Sequence, residues 1–481
     1  MKKPQQIFEC SHCGAQSSKW AGQCAECGKW GTIAVGAQGR APGANNHSPL
    51  PKPGKTQAFS ELVAKEQTPK TPTGYDPLDR LLSGGLVSGS VTLLGGEPGI
   101  GKSTLLAQTA IAKCKTQNAK SVIYVTGEES PSQVALRLKR LSPSLPDGLL
   151  FLDETDAAVI ASTIESSKPA LVIVDSVQTI RHADVPGEPG NPTQIKAASA
   201  LVTAAAKSSG VSVILVGQVT KDGDLAGPRL LEHLVDAVLM MEGDRSQAFR
   251  LLRVLKNRFG PTDDVTLFAM KESGLEEVID PSAALLADRP KNVPGTVVSC
   301  LIEGSRPLLV EVQALVTPAG YGTPLRRVSG VDLNRTALLL AVMGRRGGVG
   351  FGDQDAFVNT IGGMEAKDPS VDLAVCLALA SAKADKPLPD DLVAWGEVGL
   401  AGELRPVPRL DARLKEAARL GFKTALIPTQ KDAFKTPEGM SAIQVSNLRE
   451  AIRRFIQTES RQGRVEGSLR GNPSARQTRS G

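Results

Sequence analysis

Short apolar runs alternate with longer amphipathic segments in the middle of the chain. The clearest runs cover residues 91–94, 122–125, 171–174 and 211–216, and each is continuous rather than alternating. Continuous runs are typical of strands that are buried on both faces of a largely parallel sheet. The segments between them, such as 105–115 and 194–207, have the length and composition of crossover helices. The pattern predicts a central α/β domain.

The pattern changes beyond about residue 290. Two close strands, 296–302 and 308–316, precede helical segments at 336–343, 371–383 and 410–420. This order is typical of an α+β domain. The 481 residues also exceed what one hydrophobic core usually organises. We predict a multidomain protein with an N-terminal module at 1–33, an α/β domain at 59–288 and an α+β domain at 289–458.

Two segments lack hydrophobic periodicity. Residues 34–58 are dominated by Gly, Pro, Asn and Ala, and residues 461–481 carry five arginines against one glutamate. Such segments cannot bury enough apolar surface to fold on their own. We interpret 34–58 as a flexible linker and 459–481 as a disordered basic tail.

Composition argues against a membrane protein and against a secreted protein. No apolar run approaches the roughly 20 residues of a membrane span. The start, Met1 to Pro4, is followed by polar residues and cysteines instead of the apolar core of a secretory signal, so we expect a cytoplasmic protein without membrane contact. A net charge of +6 permits contact with a polyanion, and 4% aromatics argue against a surface that works mainly by base stacking.

Four of the seven cysteines form two Cys-x-x-Cys pairs near the start of the chain. They are Cys10, Cys13, Cys24 and Cys27. Four thiolates at this spacing can surround one tetrahedral Zn²⁺, which would fold a module too short for a core of its own. A disulfide pair and an iron–sulfur cluster are the alternatives. We expect His12 on the surface, and Trp20 and Trp30 in a small apolar core unless one of them contacts a partner.

A glycine-rich loop directly follows the first predicted strand of the α/β domain and opens a helix. Its residues are Gly96, Glu97, Pro98, Gly99, Ile100, Gly101, Lys102 and Ser103, followed by Thr104. In this context the GxxxxGKS spacing lets backbone amides wrap phosphates, brings Lys102 to the β and γ oxygens, and gives Ser103 to Mg²⁺. The loop therefore predicts an ATP-binding site.

Polar residues at the ends of other predicted strands complete this site. Asp175 ends the run 171–174, where it can hold the magnesium shell through water. Glu128 and Glu129 follow the run 122–125, and hydrolysis needs a group that orients or deprotonates water. We assign this role to Glu128, although Glu129 could exchange with it and a solvated acidic turn is the alternative. Gln218 can sense the γ-phosphate or be an ordinary loop residue.

These motifs carry a family resemblance. Residues 73–79 (TGYDPLD), then 84–86 (GGL), then the phosphate loop resemble the RecA/KaiC/DnaB superfamily of oligomeric ATPases. With the four-cysteine module in front and 256–260 (KNRFG) behind, the chain is similar to a branch of bacterial DNA-repair proteins in that superfamily, from Cys10 to about Ile456. The resemblance implies a RecA-like ATPase that forms a hexameric ring, moves on single-stranded DNA, assists the RecA recombinase and promotes migration of branched DNA.

Lys256 and Arg258 flank an asparagine in the KNRFG segment. On charge alone they could reach a neighbouring subunit's nucleotide or a DNA phosphate, or form a solvated hairpin. The resemblance favours Arg258 as a finger that acts on a neighbouring subunit, with Lys256 as its companion. The loop 221–229 resembles the DNA-binding loop of RecA-type proteins, and 181–192 would be its companion, although either can be unspecialised surface.

The C-terminal domain is similar to the proteolytic domain of Lon in residues 368–373, 396–400 and 426–428. Lon uses a Ser–Lys dyad, and Ser370 lies where its serine would be. Asp411 occupies the place of the lysine, and Lys415 lies one helical turn further on, so we expect no proteolysis and a helix N-cap role for Ser370. We expect ring assembly and a basic DNA surface instead, or else a solvated basic face, from Arg326, Arg327, Arg345 and Arg346.

Three functions stay open at this point. A DNA-dependent ATPase motor of recombination accounts for the whole set of motifs. A KaiC-like signalling or assembly ATPase would use the same nucleotide site without DNA. An ATP-dependent protease would need Ser370 as its nucleophile.

Overall fold

The computed structural model describes residues 8–35, 69–116, 121–218, 228–243, 249–320, 323–366 and 368–456. The chain divides into two compact units, Met1–Gln67 and Thr68–Gly481. The predicted linker from residue 36 onward, the predicted basic tail, and residues 221–227 of the predicted DNA-binding loop lie outside the described residues.

The first unit is a small antiparallel sheet that carries the four cysteines. Its strands are β1 (Phe8–Cys10), β2 (Gln16–Ser17) and β3 (Ile33–Val35), in the order β2-β1-β3. Gly14 and Gly28 follow the two Cys-x-x-Cys pairs with φ of +72° and +68°, and their amides donate to the carbonyl oxygens of Cys10 and Cys24. A left-handed residue therefore closes each cysteine turn, and glycine adopts this conformation without strain.

The two tryptophans of this unit do not form the apolar core that we expected. Trp20 is 65% exposed and Trp30 is 75% exposed, whereas Cys10 and Cys24 are buried. A sheet this small has too little interior to enclose an indole, so the cysteine side chains occupy it instead. The expectation of a tryptophan core is wrong, and both rings face solvent. His12 is exposed, as expected.

The predicted central α/β domain is confirmed. Its strands are β4 (Lys70–Thr71), β5 (Leu86–Val87), β6 (Val91–Gly96), β7 (Val122–Thr126), β8 (Leu149–Leu152), β9 (Leu171–Asp175), β10 (Val213–Val216), β11 (Ala237–Glu242), β12 (Phe249–Asn257), β13 (Val265–Lys271) and β14 (Gly274–Glu277). Its helices are α1 (Asp76–Leu81), α2 (Lys102–Lys115), α3 (Pro131–Leu141), α4 (Ala157–Ser167), α5 (Pro192–Ser209) and α6 (Pro228–Leu231). The four apolar runs correspond to β6, β7, β9 and β10.

Nine strands of the described chain form one mixed sheet in this domain, in the order β14-β13-β12-β11-β6-β10-β9-β7-β8. The strands from β6 to β11 are parallel to one another, and β12 to β14 add an antiparallel extension. Carboxyl ends of parallel strands meet at one edge of a sheet. The loops that follow β6, β7, β9 and β10 therefore gather at this carboxyl edge.

Helices cover both faces of the parallel strands. Leu105 of α2 packs with Leu94 on one face, while Ile160 of α4 and Val202 of α5 pack with Val91 on the other. Alternate residues of β6 therefore point into two different cores. This double burial is the physical reason for the continuous apolar runs in the sequence.

The C-terminal α+β domain is also confirmed. Its strands are β15 (Thr296–Glu303), β16 (Arg306–Pro318), β17 (Arg326–Ser329), β18 (Gln354–Thr360), β19 (Leu392–Ala394), β20 (Glu397–Val398), β21 (Leu404–Arg405), β22 (Thr424–Pro428) and β23 (Ser441–Val445). Its helices are α7 (Pro281–Leu285), α8 (Leu333–Val342), α9 (Asp372–Ala384), α10 (Leu410–Arg419) and α11 (Leu448–Phe455), with a π-helical turn at Met343–Gly347 and 3₁₀ turns at Ile361–Gly363 and Pro369–Val371. The main sheet has the order β17-β18-β16-β15-β19-β22-β23, and α9 is buried along most of its length.

Strand β12 belongs to the cores of both large domains. Leu252 and Val254 pack in the core beside α2, whereas Leu251 packs in the C-terminal core with Val265 and Leu267 of β13. Successive side chains of a strand point to opposite faces, so one strand can serve two cores. The antiparallel extension thus forms the wall between the two domains. Every helix in the described ranges is too short or too polar to span a lipid bilayer.

Candidate nucleotide site and metal centre

The phosphate loop connects β6 to α2. Gly96 ends β6 with φ of +153°, and a Cβ on it would lie 2.7 Å from the carbonyl oxygen of Met241 on β11. Gly101 has φ of +118° and is the N-cap residue of α2. The first turn of α2 carries no acidic side chain, so the unpaired amides and the dipole of this helix end favour an anion.

Lys102 is the first residue of α2 and is 5% exposed. Its Nζ donates hydrogen bonds to the carbonyl oxygens of Gly96 and Glu97, each at 2.8 Å. These contacts hold the ammonium group over its own loop, where it can exchange carbonyl oxygens for phosphate oxygens. Of the other predicted loop residues, Pro98 and Gly99 are exposed, Ser103 is half-buried, and Ile100 and Thr104 are buried.

Asp175 ends β9 at the carboxyl edge and is 8% exposed. Tyr124 donates a hydrogen bond from its hydroxyl to Asp175 Oδ2 at 2.6 Å. Burial, together with the charge of Asp175, raises the pKa of Tyr124 well above its ordinary value, so the hydroxyl stays protonated and keeps donating. This bond fixes the carboxylate at the end of its strand.

The adjacent carboxylates after β7 have different partners. Glu128 Oε1 accepts a hydrogen bond from Ser176 Oγ at 2.6 Å and lies 3.4 Å from Gln218 Nε2. Glu129 instead forms an ion pair with Arg137 of α3. Glu128 is therefore connected to the loops after β9 and β10, while Glu129 is connected to a helix on one face of the sheet.

Arg258 and Lys256 lie at the opposite edge of the sheet from the phosphate loop. Arg258 Nη1 donates to Asp236 Oδ1 at 3.2 Å, and the Asp236 amide donates to the carbonyl oxygen of Val91, the first residue of β6. Lys256 Nζ donates to the Val235 carbonyl oxygen at 2.9 Å. The six residues of β6 span about 17 Å, so these two cations are far from the nucleotide site of their own chain.

The structure thus brings together four predicted site residues at the carboxyl edge of the sheet: Lys102, Asp175, Glu128 and Gln218. Lys256 and Arg258 of the KNRFG segment lie at the opposite edge. Sequence reasoning missed the partners Tyr124, Ser176, Arg137 and Asp236. Tyr124 carried a usable signal, because a tyrosine within a continuous apolar strand needs a partner for its buried hydroxyl. Ser176 and Asp236 are ordinary polar residues whose partners are distant in sequence, and Arg137 lies on the helix that follows Glu129.

The four-cysteine cluster has the dimensions of a site for one metal ion. Its sulfur atoms all lie within 4.8 Å of one another, with 3.8 Å from Cys10 to Cys27 and 3.6 Å from Cys13 to Cys24. A tetrahedral Zn²⁺ with bonds of about 2.3 Å needs sulfurs about 3.8 Å apart. A disulfide needs about 2.05 Å, and a multi-iron cluster holds its thiolates farther apart because iron and sulfide lie between them.

Comparison with known proteins identifies the family. The chain is 45% identical to DNA repair protein RadA of Pseudomonas aeruginosa, with 94% of this chain and 99% of that protein covered. It is 44% identical to DNA repair protein RadA of Escherichia coli and 42% identical to that of Bacillus subtilis, with the same coverage. The chain belongs to the RadA family of DNA repair proteins. The DNA-repair branch that the motifs indicated is confirmed.

Three family descriptions match successive parts of this RadA-family chain. Residues 8–34 match a rubredoxin metal binding domain, residues 60–224 match an AAA domain, and residues 350–456 match the Lon protease (S16) C-terminal proteolytic domain. The predicted order of an N-terminal zinc ribbon, a central α/β ATPase domain and a C-terminal Lon-like domain is confirmed. The cysteine cluster suggests zinc, and the ATPase domain implies ATP and Mg²⁺.

Ser370 of the Lon-like domain does not cap a helix, so that expectation is wrong. The N-cap of the 3₁₀ turn before α9 is Asp368, whose Oδ1 accepts a hydrogen bond from the Ser370 amide at 2.9 Å. The carboxylate reaches this amide because it lies outside the turn, whereas Ser370 lies inside it and is fully buried. Its hydroxyl accepts a hydrogen bond from Arg413 Nη1 at 3.2 Å.

Among the described residues, the side chain that contacts the Ser370 hydroxyl is the arginine. Arg413 is fully buried and also donates to the carbonyl oxygens of Cys300 and Pro408. A guanidinium stays protonated and cannot take a proton from a serine. Asp411 and Lys415 are exposed on α10. The described contact of the Ser370 hydroxyl is therefore with a permanent cation inside the domain, which suits a packing role.

The four arginines expected to form a basic surface have different environments. Arg326 donates to the carbonyl oxygens of Leu325 and Phe351, at 2.9 and 2.8 Å, so it braces its own domain. Three of the four have exposed side chains: Arg327, Arg345 and Arg346. Only those three are available to an external polyanion.

Replacing Cys24 with serine should release the metal, because a closed tetrahedral site needs all four thiolates. We expect about one zinc per chain in the parent protein and at least a tenfold loss in Cys24→Ser, measured by mass spectrometry of metal content after gel filtration. Cys114→Ser is the matched control, since Cys114 lies on α2 outside the cluster. Full zinc content in Cys24→Ser, or iron in place of zinc in the parent, would contradict the prediction.

Proposed function

We propose that this chain is a DNA-dependent ATPase of recombinational repair, which works as a hexameric ring motor on single-stranded DNA and promotes migration of branched DNA. The observation that carries the proposal is the division of the charged site residues between two edges of one sheet. Lys102, Asp175 and Glu128 lie at the carboxyl edge and Arg258 at the opposite edge. Such a subunit has a phosphate site of its own and needs a neighbour to supply the arginine.

The phosphate loop binds the triphosphate of ATP in this proposal. Its backbone amides and Lys102 hold the β- and γ-phosphates. Ser103 and Asp175 would hold Mg²⁺, and this ion would neutralise charge on the phosphate oxygens. The hydrogen bond from Tyr124 supports the role of Asp175, because it keeps a mostly buried carboxylate in one place at the strand end.

Glu128 orients or deprotonates the attacking water. Its bond with Ser176 ties it to the residue that follows Asp175, and its approach to Gln218 ties it to the end of β10. We infer that Gln218 reports the presence of the γ-phosphate to the loop that follows it, and its approach to Glu128 supports this role. Glu129 is less suited to the role of base, because its charge is already paired with Arg137.

Arg258 acts on the nucleotide of a neighbouring subunit, with Lys256 as its companion. Its distance from its own phosphate loop along β6 supports action in trans. The Arg258 amide donates to the carbonyl oxygen of the buried Asp236, which fixes the segment at the sheet edge. The half-exposed guanidinium would exchange its single contact with Asp236 Oδ1 for the neighbour's nucleotide. An arginine supplied in this way stabilises the charge that develops during phosphoryl transfer.

DNA is the proposed substrate because the similar proteins are named DNA repair proteins. Loop 181–192 follows β9 at the carboxyl edge, and the buried Gln194 side chain braces it by accepting from the His182 amide at 2.8 Å. This loop and 221–229 are proposed to contact DNA phosphates. The exposed Trp20 and Trp30 offer the aromatic contact area that a protein partner needs, and the proposed partner is the RecA recombinase.

Single-stranded DNA should stimulate ATP hydrolysis by the parent, and rising salt should weaken DNA binding steeply. Lys102→Ala should lower hydrolysis on the order of 10²-fold with or without DNA. Lys115→Ala, an exposed lysine at the other end of α2, is the control and should hydrolyse normally. An ATPase rate that DNA does not change, together with no binding of DNA, would favour an assembly ATPase. Full ATPase activity in Lys102→Ala would overturn the proposed nucleotide site.

Glu128→Gln should lower kcat by about 10²- to 10⁴-fold and leave nucleotide binding nearly unchanged, since the amide keeps the shape of the carboxylate but cannot act as a base. Glu129→Gln is the matched control on the neighbouring residue and should lose less than about tenfold. Single-turnover hydrolysis and titration with a fluorescent ADP measure the two effects separately. A larger loss in Glu129→Gln would exchange the proposed roles.

Arg258→Ala should reduce hydrolysis on the order of 10³-fold. Mixing this variant with inactive Lys102→Ala subunits should restore activity, because some interfaces then combine an intact phosphate loop with an intact arginine. Random mixing of equal amounts predicts about a quarter of the parent sites. The ATPase rate is measured across mixing ratios after subunit exchange, and a mixture no more active than either variant alone would rule out action in trans.

A further inference from the structure

A buried arginine on β12 holds one peptide group of the phosphate loop. Arg250 is 4% exposed and donates from Nε to the carbonyl oxygen of Ile100 at 3.1 Å. Its Nη1 donates to the Phe249 carbonyl oxygen at 2.7 Å, which fixes the guanidinium against its own strand. Ile100 lies in the middle of the loop and its side chain is fully buried. A cationic donor therefore contacts the loop from the protein interior.

The position of Arg250 is set by two hydrophobic cores. Phe249 and Leu251, its neighbours in sequence, pack in the core of the C-terminal domain, whereas Leu252 packs in the core beside α2. A close-packed core resists displacement of a side chain, so β12 cannot shift without disturbing both domains. Gly243 adds to this confinement, because a Cβ there would lie 2.9 Å from the Phe249 oxygen and 3.3 Å from Arg250 Cδ.

The Ile100 carbonyl belongs to the same planar peptide as the Gly101 amide. In a trans peptide the C=O and N–H point in opposite directions. Arg250 holds the oxygen on the interior side, so the amide of Gly101 is directed away from the interior. Gly101 has φ of +118°, and the conformational freedom of this glycine would otherwise let the peptide rotate.

We propose that Arg250 is a positioning residue of the nucleotide site, which orients the Ile100–Gly101 peptide and thereby presents a loop amide to phosphate; this rests on the ATPase function proposed above. Arg250 acts through the loop and touches no reacting atom. Its loss should therefore weaken nucleotide binding and leave the chemical step intact. A charged donor matters here because charge-assisted hydrogen bonds are about twice as strong as neutral ones.

The test compares three variants of the full-length protein: Arg250→Gln, Arg250→Lys and Arg253→Gln. Arg253 is the matched control, because it lies on the same strand and faces the opposite side, where it pairs with Glu303. Titration with N-methylanthraniloyl-ADP gives Kd, ATP titration gives KM and kcat, and thermal unfolding reports folding. We expect Kd and KM to rise about tenfold in Arg250→Gln and about threefold in Arg250→Lys, with kcat and Arg253→Gln within about twofold of the parent.

Equal affinities in Arg250→Gln and Arg253→Gln, or a loss confined to kcat, would overturn the proposal. If Arg250→Gln is unfolded at the assay temperature, Arg250→Lys decides, and parent-like affinity in that variant refutes the positioning role. The ADP readout does not depend on hydrolysis. A parent that binds ADP without hydrolysing ATP would therefore refute the proposed ATPase function and still allow Arg250 to be tested.

Discussion

Parallel pairing of β6, β10, β9 and β7 is the constraint on which the candidate nucleotide site depends. Leu94 pairs with Val216, and Thr126 pairs with Asp175, so strands distant in sequence end at the same level. Burial of apolar side chains on both faces fixes this register, because a slip by one residue would move every side chain into the opposite core, where it does not fit the packing. The phosphate loop, Glu128 and Gln218 meet for this reason.

The antiparallel strands of the same sheet determine where the KNRFG segment and Arg250 lie. β12 runs against β11, so the KNRFG segment at its end returns to the edge opposite the phosphate loop. The same strand carries Arg250 toward that loop and Leu251 toward the C-terminal core. β12 thus connects the KNRFG segment, the phosphate loop and the C-terminal core. Successive side chains of a strand point to opposite faces, so neighbouring residues of β12 contact different parts of the molecule.

The Lon-like domain holds Ser370, the serine predicted at the position of the Lon nucleophile, in a buried polar contact with an arginine. Ser370 and Arg413 are fully buried, and the guanidinium donates to backbone carbonyls as well as to the serine hydroxyl. Because buried polar groups must be paired, this arrangement contributes to packing. Ser370 therefore has a packing role among the described residues. Arg327, Arg345 and Arg346 are the exposed basic side chains of the predicted set.

The sequence by itself determined the elements, the order of the domains, the phosphate loop and the metal-binding cysteines. Each of these depends on neighbours along the chain, such as the GxxxxGKS spacing or the period of an apolar run. Only the tertiary structure decided that Tyr124 supports Asp175, that Glu128 and Glu129 differ, and that Ser370 faces Arg413. It also exposed Trp20 and Trp30, which composition alone placed in a core. These outcomes depend on contacts between distant segments and on the interior volume available, and neither quantity is encoded in local spacing.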